Sequence, residues 1–472
     1  AHNERLGFVT SCPSNLGSAL RVSVTVQVPN LTQRKDWKEI CKTLQLNARG
    51  VGSPNSGLWE LSNMLGLGVS EVDLVNCVAR GCRHIVEMEE ALERNEEPVL
   101  PGLGAEALLG LRELPPELPN LWGSRSVLAE VLREKPSIYH ELRQCRTSSG
   151  ISFAQAVKPG VDVCWAPSRD TLPFGLVAGD TECYQTFARV FNPCLEAFHG
   201  TKLSGPHPLD LDMAAVRGDN IDPADSRILS VRVRASRNLG GLRMPPACSF
   251  DERREVERVL AGALLELSGP LEGEYYPLAG SSSYSARPEG FDAAEQLRLS
   301  KAGLLFQEPK APAALAAGVG RDWPDARGVF AVKGGNFAAW VNEEEHLTLL
   351  ASRKDGDVKA AFACVCAAEK ALSLLLQQDG RTFARSEALG FLTAMPERLG
   401  TGMTLSATLR LRGLANSAEL LQLCAQLGVK VVSQARNGTV EIATQATFGV
   451  SEASLVDTML CACRELLAKS EC

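Results

Sequence analysis

HNERLGFVTSCPSNLGSALRVSVTV at residues 2–26 returns as RSEALGFLTAMPERLGTGMTLSATL at 385–409, displaced by 383 residues. Further on, LGVSEVDLV at 67–75 matches FGVSEASLV at 448–456, now displaced by 381. The change of two falls between the blocks, where a surface loop absorbs an indel. Self-similarity at a fixed spacing governs the whole fold and has to be read first. One copy of the repeat is about 380 residues, so the chain of 472 holds the last hundred or so residues of one copy and then a second copy. Ala1 falls inside a domain on this reading.

The join between the copies is visible. EEALERNEEPVLPGLGAEALLGLRELPPELPNLWGS is dense in Glu, Leu, Pro and Gly. Residues 88–97 read as a helix end and 98–124 as a linker, because Pro98, Pro101, Pro115, Pro116 and Pro119 forbid a long continuous helix. From 125 to about 200 the pattern is mainly helical. From 228 the texture changes: ILSVRVRAS alternates as a strand, DERREVERVLAGALLELS is a helix, GVFAVKGGNFAAWVN is a hairpin, and 359–378 is a helix with an apolar face. The expected organisation is 1–97 as a partial copy, 98–124 as linker, 125–215 as a helical domain and 216–472 as an α/β domain.

Composition bounds the function. The chain is 45% hydrophobic and 22% charged, with a formal charge of −7. That suits a globular protein with real cores and excludes dominant disorder. No basic stripe points to nucleic acid as a partner. No run of about 18 apolar residues suggests a membrane span, and the first residues do not read as a signal peptide. The 15 cysteines are scattered, odd in number and without a CxxC pair, which reads as reduced thiols in a cytosol-like compartment and no metal site.

Several short segments could carry chemistry. VRVRASR puts Arg232 and Arg234 on one face of a strand, since side chains alternate with period two. Two guanidinium groups on one face make an anion clamp suited to phosphate oxygens; a solvated strand edge is the plainer alternative. WVNEEEH sets Glu343, Glu344 and Glu345 after an apolar strand, where an exposed turn is equally readable. CPSNLG places the Cys12 thiol before a small-residue turn. No Walker loop, GxGxxG or HExxH is present.

Taken in order, VRVRASR, EGEYYPL, RDWPDARG, WVNEEEH and LGF-x-T-x-C/M-P closely resemble the phosphagen (ATP:guanido) kinases, which move a phosphoryl group between ATP and a guanidino compound. Within that family LVAGDTECYQTF, NIDPADSRILSVRVR and RDWPDARG look most like creatine kinase, here in a tandem, flagellar-type arrangement. The implied fold is α+β: a small all-α domain, then an α/β domain whose large antiparallel sheet is flanked by helices, preceded by a partial copy of that α/β domain. The resemblance implies that Arg232, Arg234, Arg21 and Arg49 bind nucleotide phosphates, that Glu344 orients the guanidinium and that Cys12 is the reactive cysteine. Mg-ATP is the implied cofactor of a competent copy, with ATP/ADP and a creatine-like guanidino compound as ligands.

The second copy departs from the pattern where the first keeps it. Cys12 corresponds to Met395, Ser14 to Glu397, Asn15 to Arg398, Arg21 to Thr404 and Arg49 to Val432. The family's HLR after the acidic turn reads His346-Leu347-Thr348, and its adenine-side histidine is Gly303. Losing one preorganised charge donor costs about 10²–10³ in rate. The second copy is therefore expected to be a pseudokinase with a structural or docking role, binding Mg-ATP weakly or not at all. The alternatives are an active creatine kinase through the Cys12 copy, completed by upstream sequence or another polypeptide, and a ligand sensor. A cytoplasmic location, with a cilium or flagellum axoneme by analogy, goes with the resemblance. The loop at 170–180 leaves the guanidino substrate open.

Overall fold

The computed structural model describes residues 2–3, 7–8, 10, 18–34, 36–44, 46–51, 57–64, 71–94, 118, 121, 126–162, 174–221, 226–301, 303–309, 312–333, 335–411, 413–414, 418–435 and 437–470. Cys12, and the 98–124 segment apart from residues 118 and 121, lie outside them. The chain forms two units, one of residues 1–144, 157–175 and 310–318, the other of 145–156, 176–309 and 319–472.

In the first unit β1 (His2–Asn3) pairs with β2 (Gly7–Phe8). Strands β3 (Ser23–Gln27), β4 (Leu46–Gly50) and β5 (Leu58–Asn63) form an antiparallel sheet in the order β3-β5-β4. Helices Trp37–Thr43 and Glu71–Glu93 pack on it around Val26, Leu31, Ile40, Leu61, Val78 and Ile85. Buried Glu89 accepts three hydrogen bonds, from the Asn30 backbone (2.8 Å) and side chain (2.9 Å) and from Leu31 N (2.7 Å). That carboxylate satisfies orphan donors of the 3₁₀ turn Leu31–Gln33. Helices Val127–Glu134, capped by the Ser126 hydroxyl, and Ser137–Leu142 belong to the same unit.

Among the described residues the second unit has ten strands: β6 (Ile228–Arg237), β7 (Gly273–Pro277), β8 (Gly328–Val332), β9 (Phe337–Val341), β10 (Leu347–Arg353), β11 (Arg385–Ser386), β12 (Gly390–Phe391), β13 (Met403–Arg410), β14 (Val429–Gln434) and β15 (Thr439–Thr444). Eight of them make one antiparallel sheet in the order β14-β15-β13-β6-β10-β9-β8-β7. Helices Phe250–Leu265, Val358–Gln378 and Glu452–Lys469 share one core with Val231, Val233 and Ala235 of β6. The first has a full capping box, Ser249 with Glu252. On the opposite face Trp340, Ala338 and Leu350 pack with Phe291, Leu304 and Phe306.

The repeat is legible in the elements. β1 and β2 recur as β11 and β12, and β4-β5-β3 recurs as β14-β15-β13. The helices Trp37–Thr43 and Glu71–Glu93 recur as Ala418–Gln426 and Glu452–Lys469. One difference matters. β13 is covered on its far side by β6, whereas β3 has no strand against that edge among the described residues.

Candidate functional site

Alternation along β6 sorts its side chains. Val231, Val233, Ala235 and Arg237 face the helices, and Arg232, Arg234 and Ser236 face the other way. Residues directly opposite in an antiparallel ladder share a face. Thr404 stands opposite Arg234 and Ser406 opposite Arg232 on one side; Leu350 and Ser352 do so on the other. Thr348 stands opposite Ser236. Positions 348 and 404 therefore lie on the arginine face. Thr348 Oγ1 is buried and meets no hydrogen-bond partner among the described residues. Gly303 lies beside Arg232: a Cβ built there would come within 3.5 Å of Arg232 Nη2. Val432 falls in a bulge of β14 and is 53% exposed.

The acidic turn crosses the same face. Asn342 enters it at φ 55°, a left-handed conformation that asparagine tolerates, and its amide donates to Arg253 O (2.9 Å) and Ala326 O (2.8 Å). Arg234 Nη2 donates to Glu343 Oε2 at 2.9 Å, lies 4.0 Å from Glu344 Oε2, and its guanidinium sits 5.0 Å from the Trp340 ring centroid. Glu344 is in direct contact with the Arg398 guanidinium. Burial alone would raise the Glu344 carboxyl; Arg398 and Arg234 outweigh it and hold the group below its ordinary value. Glu345 turns inward and accepts from Asn238 Nδ2 (2.6 Å), Ala394 N (2.6 Å) and Met395 N (3.0 Å). The loop carrying Met395 and Arg398 is fixed further by Tyr184 Oη donating to Thr393 O (2.7 Å) and His199 Nε2 donating to Pro396 O (3.1 Å).

Arg398 is the residue that motif reading passed over. The Asn15-to-Arg398 exchange is visible in the repeat, but its partner lies 54 residues away in sequence. In the first unit Arg21 is exposed and 3.9 Å from Glu60, and Arg49 on β4 stands opposite the same Glu60 on β5. No group of three or more His, Cys, Asp or Glu residues suited to a metal occurs among the described residues. No helix among them is long and apolar enough to cross a membrane.

This geometry can be set beside known proteins. The family model "ATP:guanido phosphotransferase, C-terminal catalytic domain" matches residues 1–92 and 255–472, and the corresponding N-terminal domain model matches 123–196. The chain belongs to the phosphagen kinase family. It is of the tandem type, with the α+β fold of that family. It is 33% identical to the flagellar creatine kinase of Strongylocentrotus purpuratus, covering 97% of this chain and 39% of that protein. It is 30% identical to an arginine kinase of Anthopleura japonica, over 99% of this chain and 62% of the relative. The substrate-free duplicated taurocyamine kinase from Schistosoma mansoni superimposes with a TM-score of 0.67 at 28% identity, over the whole of this chain and 64% of that one. The chain thus spans less than two thirds of each of these proteins.

Two buried groups beside the phosphagen kinase acidic turn have opposite consequences for stability. His346 Nδ1 accepts from Leu239 N (3.0 Å) and its Nε2–H donates to Arg243 O (3.0 Å); burial pushes its pKa down to about 4. Its contribution is full above the unfolded value of 6.5 and is lost as pH falls through about 4. Burial pushes the Glu345 carboxyl up to about 7. Its contribution is full below 4.5 and is lost as pH rises through about 7. Each swing amounts to roughly 3 kcal/mol, and they oppose one another between about 4.5 and 6.5. Urea unfolding of the full chain across that window should be nearly flat in pH from this pair. His346→Gln should give stability that falls as pH rises, and Glu345→Gln stability that rises with pH. The same slope in both variants would refute the assignment.

Proposed function

We propose that the second copy of this phosphagen kinase chain does not handle Mg-ATP and serves as a structural or docking copy in a repeat array or larger assembly. The observation that supports this is the make-up of the face bearing Arg232 and Arg234. Thr404 and Thr348 stand there in register where the family resemblance expects guanidinium groups, and Val432 replaces a third. Of the two clamp arginines, Arg234 is already engaged by Glu343. A magnesium-bound triphosphate is a polyanion whose charge must be met by preorganised cations. Here Arg234 and Arg398 share their surroundings with Glu343 and Glu344, so little excess positive charge is left around them. The residues present do not fit the nucleotide. Three lost donors at about 10²–10³ each, even strongly non-additive, leave little catalysis. Met395 supplies no thiolate.

On this reading residues 1–97 are a partial catalytic domain, 98–124 the linker, 125–215 the helical domain and 216–472 the degenerate catalytic-type domain. A second reading is favoured by the first unit. It keeps Arg21 and Arg49, and the edge of β3 that meets no strand among the described residues is where β6 lies in the other copy. A strand supplied by upstream sequence or by another polypeptide would complete it around Cys12 as an active kinase for ATP/ADP and a creatine-like guanidino compound. The likeness to a flagellar creatine kinase supports a place in a cilium or flagellum axoneme.

Calorimetry of the full chain with Mg-ATP and Mg-ADP tests the proposal. No binding should be assignable to Arg232 and Arg234: any heat should survive Arg232→Ala/Arg234→Ala and vanish in Arg21→Ala/Arg49→Ala. Micromolar binding abolished by the first pair would overturn the pseudokinase reading.

A further inference from the structure

The phosphagen kinase site of the second copy does not merely lack residues; it contains an extra guanidinium. Arg398 stands where the first copy has Asn15. Its Nη2 is against Glu344, the carboxylate expected to orient a guanidino substrate, and it lies three residues after Met395, the position of the reactive cysteine. Its Nη1 is buried without a hydrogen-bond partner among the described residues. The loop that presents it is pinned at Thr393, Ala394, Met395 and Pro396.

From this arrangement we infer that Arg398 is a tethered occupant of the guanidino-substrate subsite: its side chain takes the place of the free ligand's guanidinium on Glu344 and closes the second copy to guanidino compounds. The inference rests on the reading of Glu344 given above, but concerns the guanidinium half of the site and not the phosphate half. The chemistry is that of substrate recognition turned inward. A guanidinium presents a planar fork of N–H donors to a carboxylate, whether carried by a ligand or by arginine. A side chain held in place by a fixed loop meets its partner at an effective concentration far above millimolar, as well-oriented intramolecular groups do. Displacing it would also strand a guanidinium among partly buried groups, and breaking such a pair from one side is strongly unfavourable. Arg234 is the weaker partner of Glu344, because it donates to Glu343 at 2.9 Å and stays 4.0 Å from Glu344.

The probe is methylguanidinium, with methylammonium as control, titrated by calorimetry and by thermal shift into the full chain. The parent and Arg398→Lys, which keeps a cation beside Glu344, should show no saturable binding. Arg398→Asn should bind methylguanidinium at least ~10-fold more tightly than the parent, and Arg398→Asn/Glu344→Gln should lose that gain. If Arg398→Asn does not fold alone, methylguanidinium but not methylammonium should restore its folding. Equal binding by parent and variant, a folded Arg398→Asn that binds nothing, binding indifferent to Glu344→Gln, or no selective rescue would each overturn the inference. None of these outcomes depends on nucleotide, so Mg-ATP binding through Arg232 and Arg234 would refute the pseudokinase proposal separately.

Discussion

Glu369→Ala should cost the second unit ~3–5 kcal/mol, a large part of the 5–15 kcal/mol that typically holds a domain together. Its partner Arg237 is fully buried, with Nη2 2.6 Å from Glu369 Oε2 and Nη1 donating to Ser236 O (2.7 Å) and Thr401 O (2.9 Å). The Phe391 ring centroid lies 3.5 Å from the guanidinium carbon. Removing the carboxylate leaves a cation in the core between β6 and the Val358–Gln378 helix, and a buried charge without its counter-ion is among the most expensive defects a fold can carry. The backbone has adapted to this arginine as well. Gly402 has φ 58°, and a Cβ there would come within 2.8 Å of Arg237 Nη1 and 2.7 Å of Ser236 O. Urea unfolding of the full chain should show the loss in the second unit's transition. The double variant Arg237→Met/Glu369→Leu should recover most of it, because a packed apolar pair avoids desolvating two charges. A single variant within 1 kcal/mol of the parent would mean that water reaches the pair.

The arginines of β6 show how far the sequence could be read. Period-two alternation alone puts Arg232 and Arg234 together, and the same parity puts Arg237 on the core side, three residues after Arg234. Its burial then demands an acid from a covering helix, but nothing in VRVRASR says that Glu369, 132 residues away, supplies it. The hairpin of β8 and β9 and the helix at 358–378 were legible because local pattern decides them. The register that sets Thr404 against Arg234 was not, since it depends on which strands become neighbours. Arg398 was visible as an exchange of Asn for Arg between copies, yet its contact with Glu344 arises only once two loops meet over the sheet. Cys12 was named on motif grounds and lies outside the described residues.

Returning guanidinium groups to the second copy should restore nucleotide affinity in steps. Thr404→Arg and Val432→Arg are the first to make, because residue 404 is half-buried opposite Arg234 and residue 432 is largely exposed, so neither forces an arginine into a closed core. Thr348 is fully buried, and arginine there must extend over the sheet to avoid overpacking. A hydrogen bond to a charged group contributes about 1.5–3 kcal/mol. Two well-placed arginines should therefore strengthen Mg-ADP binding by roughly 10²-fold, discounted for non-additivity, and calorimetry on the full chain reads this directly. The gain should shrink as salt rises, since partly exposed charges are screened. Catalysis should not return with affinity. Residue 395 would still be methionine, and Arg398 would still sit on Glu344. Phosphoryl transfer needs both reactants aligned, and charge on the nucleotide side alone does not align them. A variant that binds Mg-ADP tightly yet turns over no guanidino substrate is the expected result. Unchanged affinity would show that the shape of the face, and not its missing charge, keeps the nucleotide out.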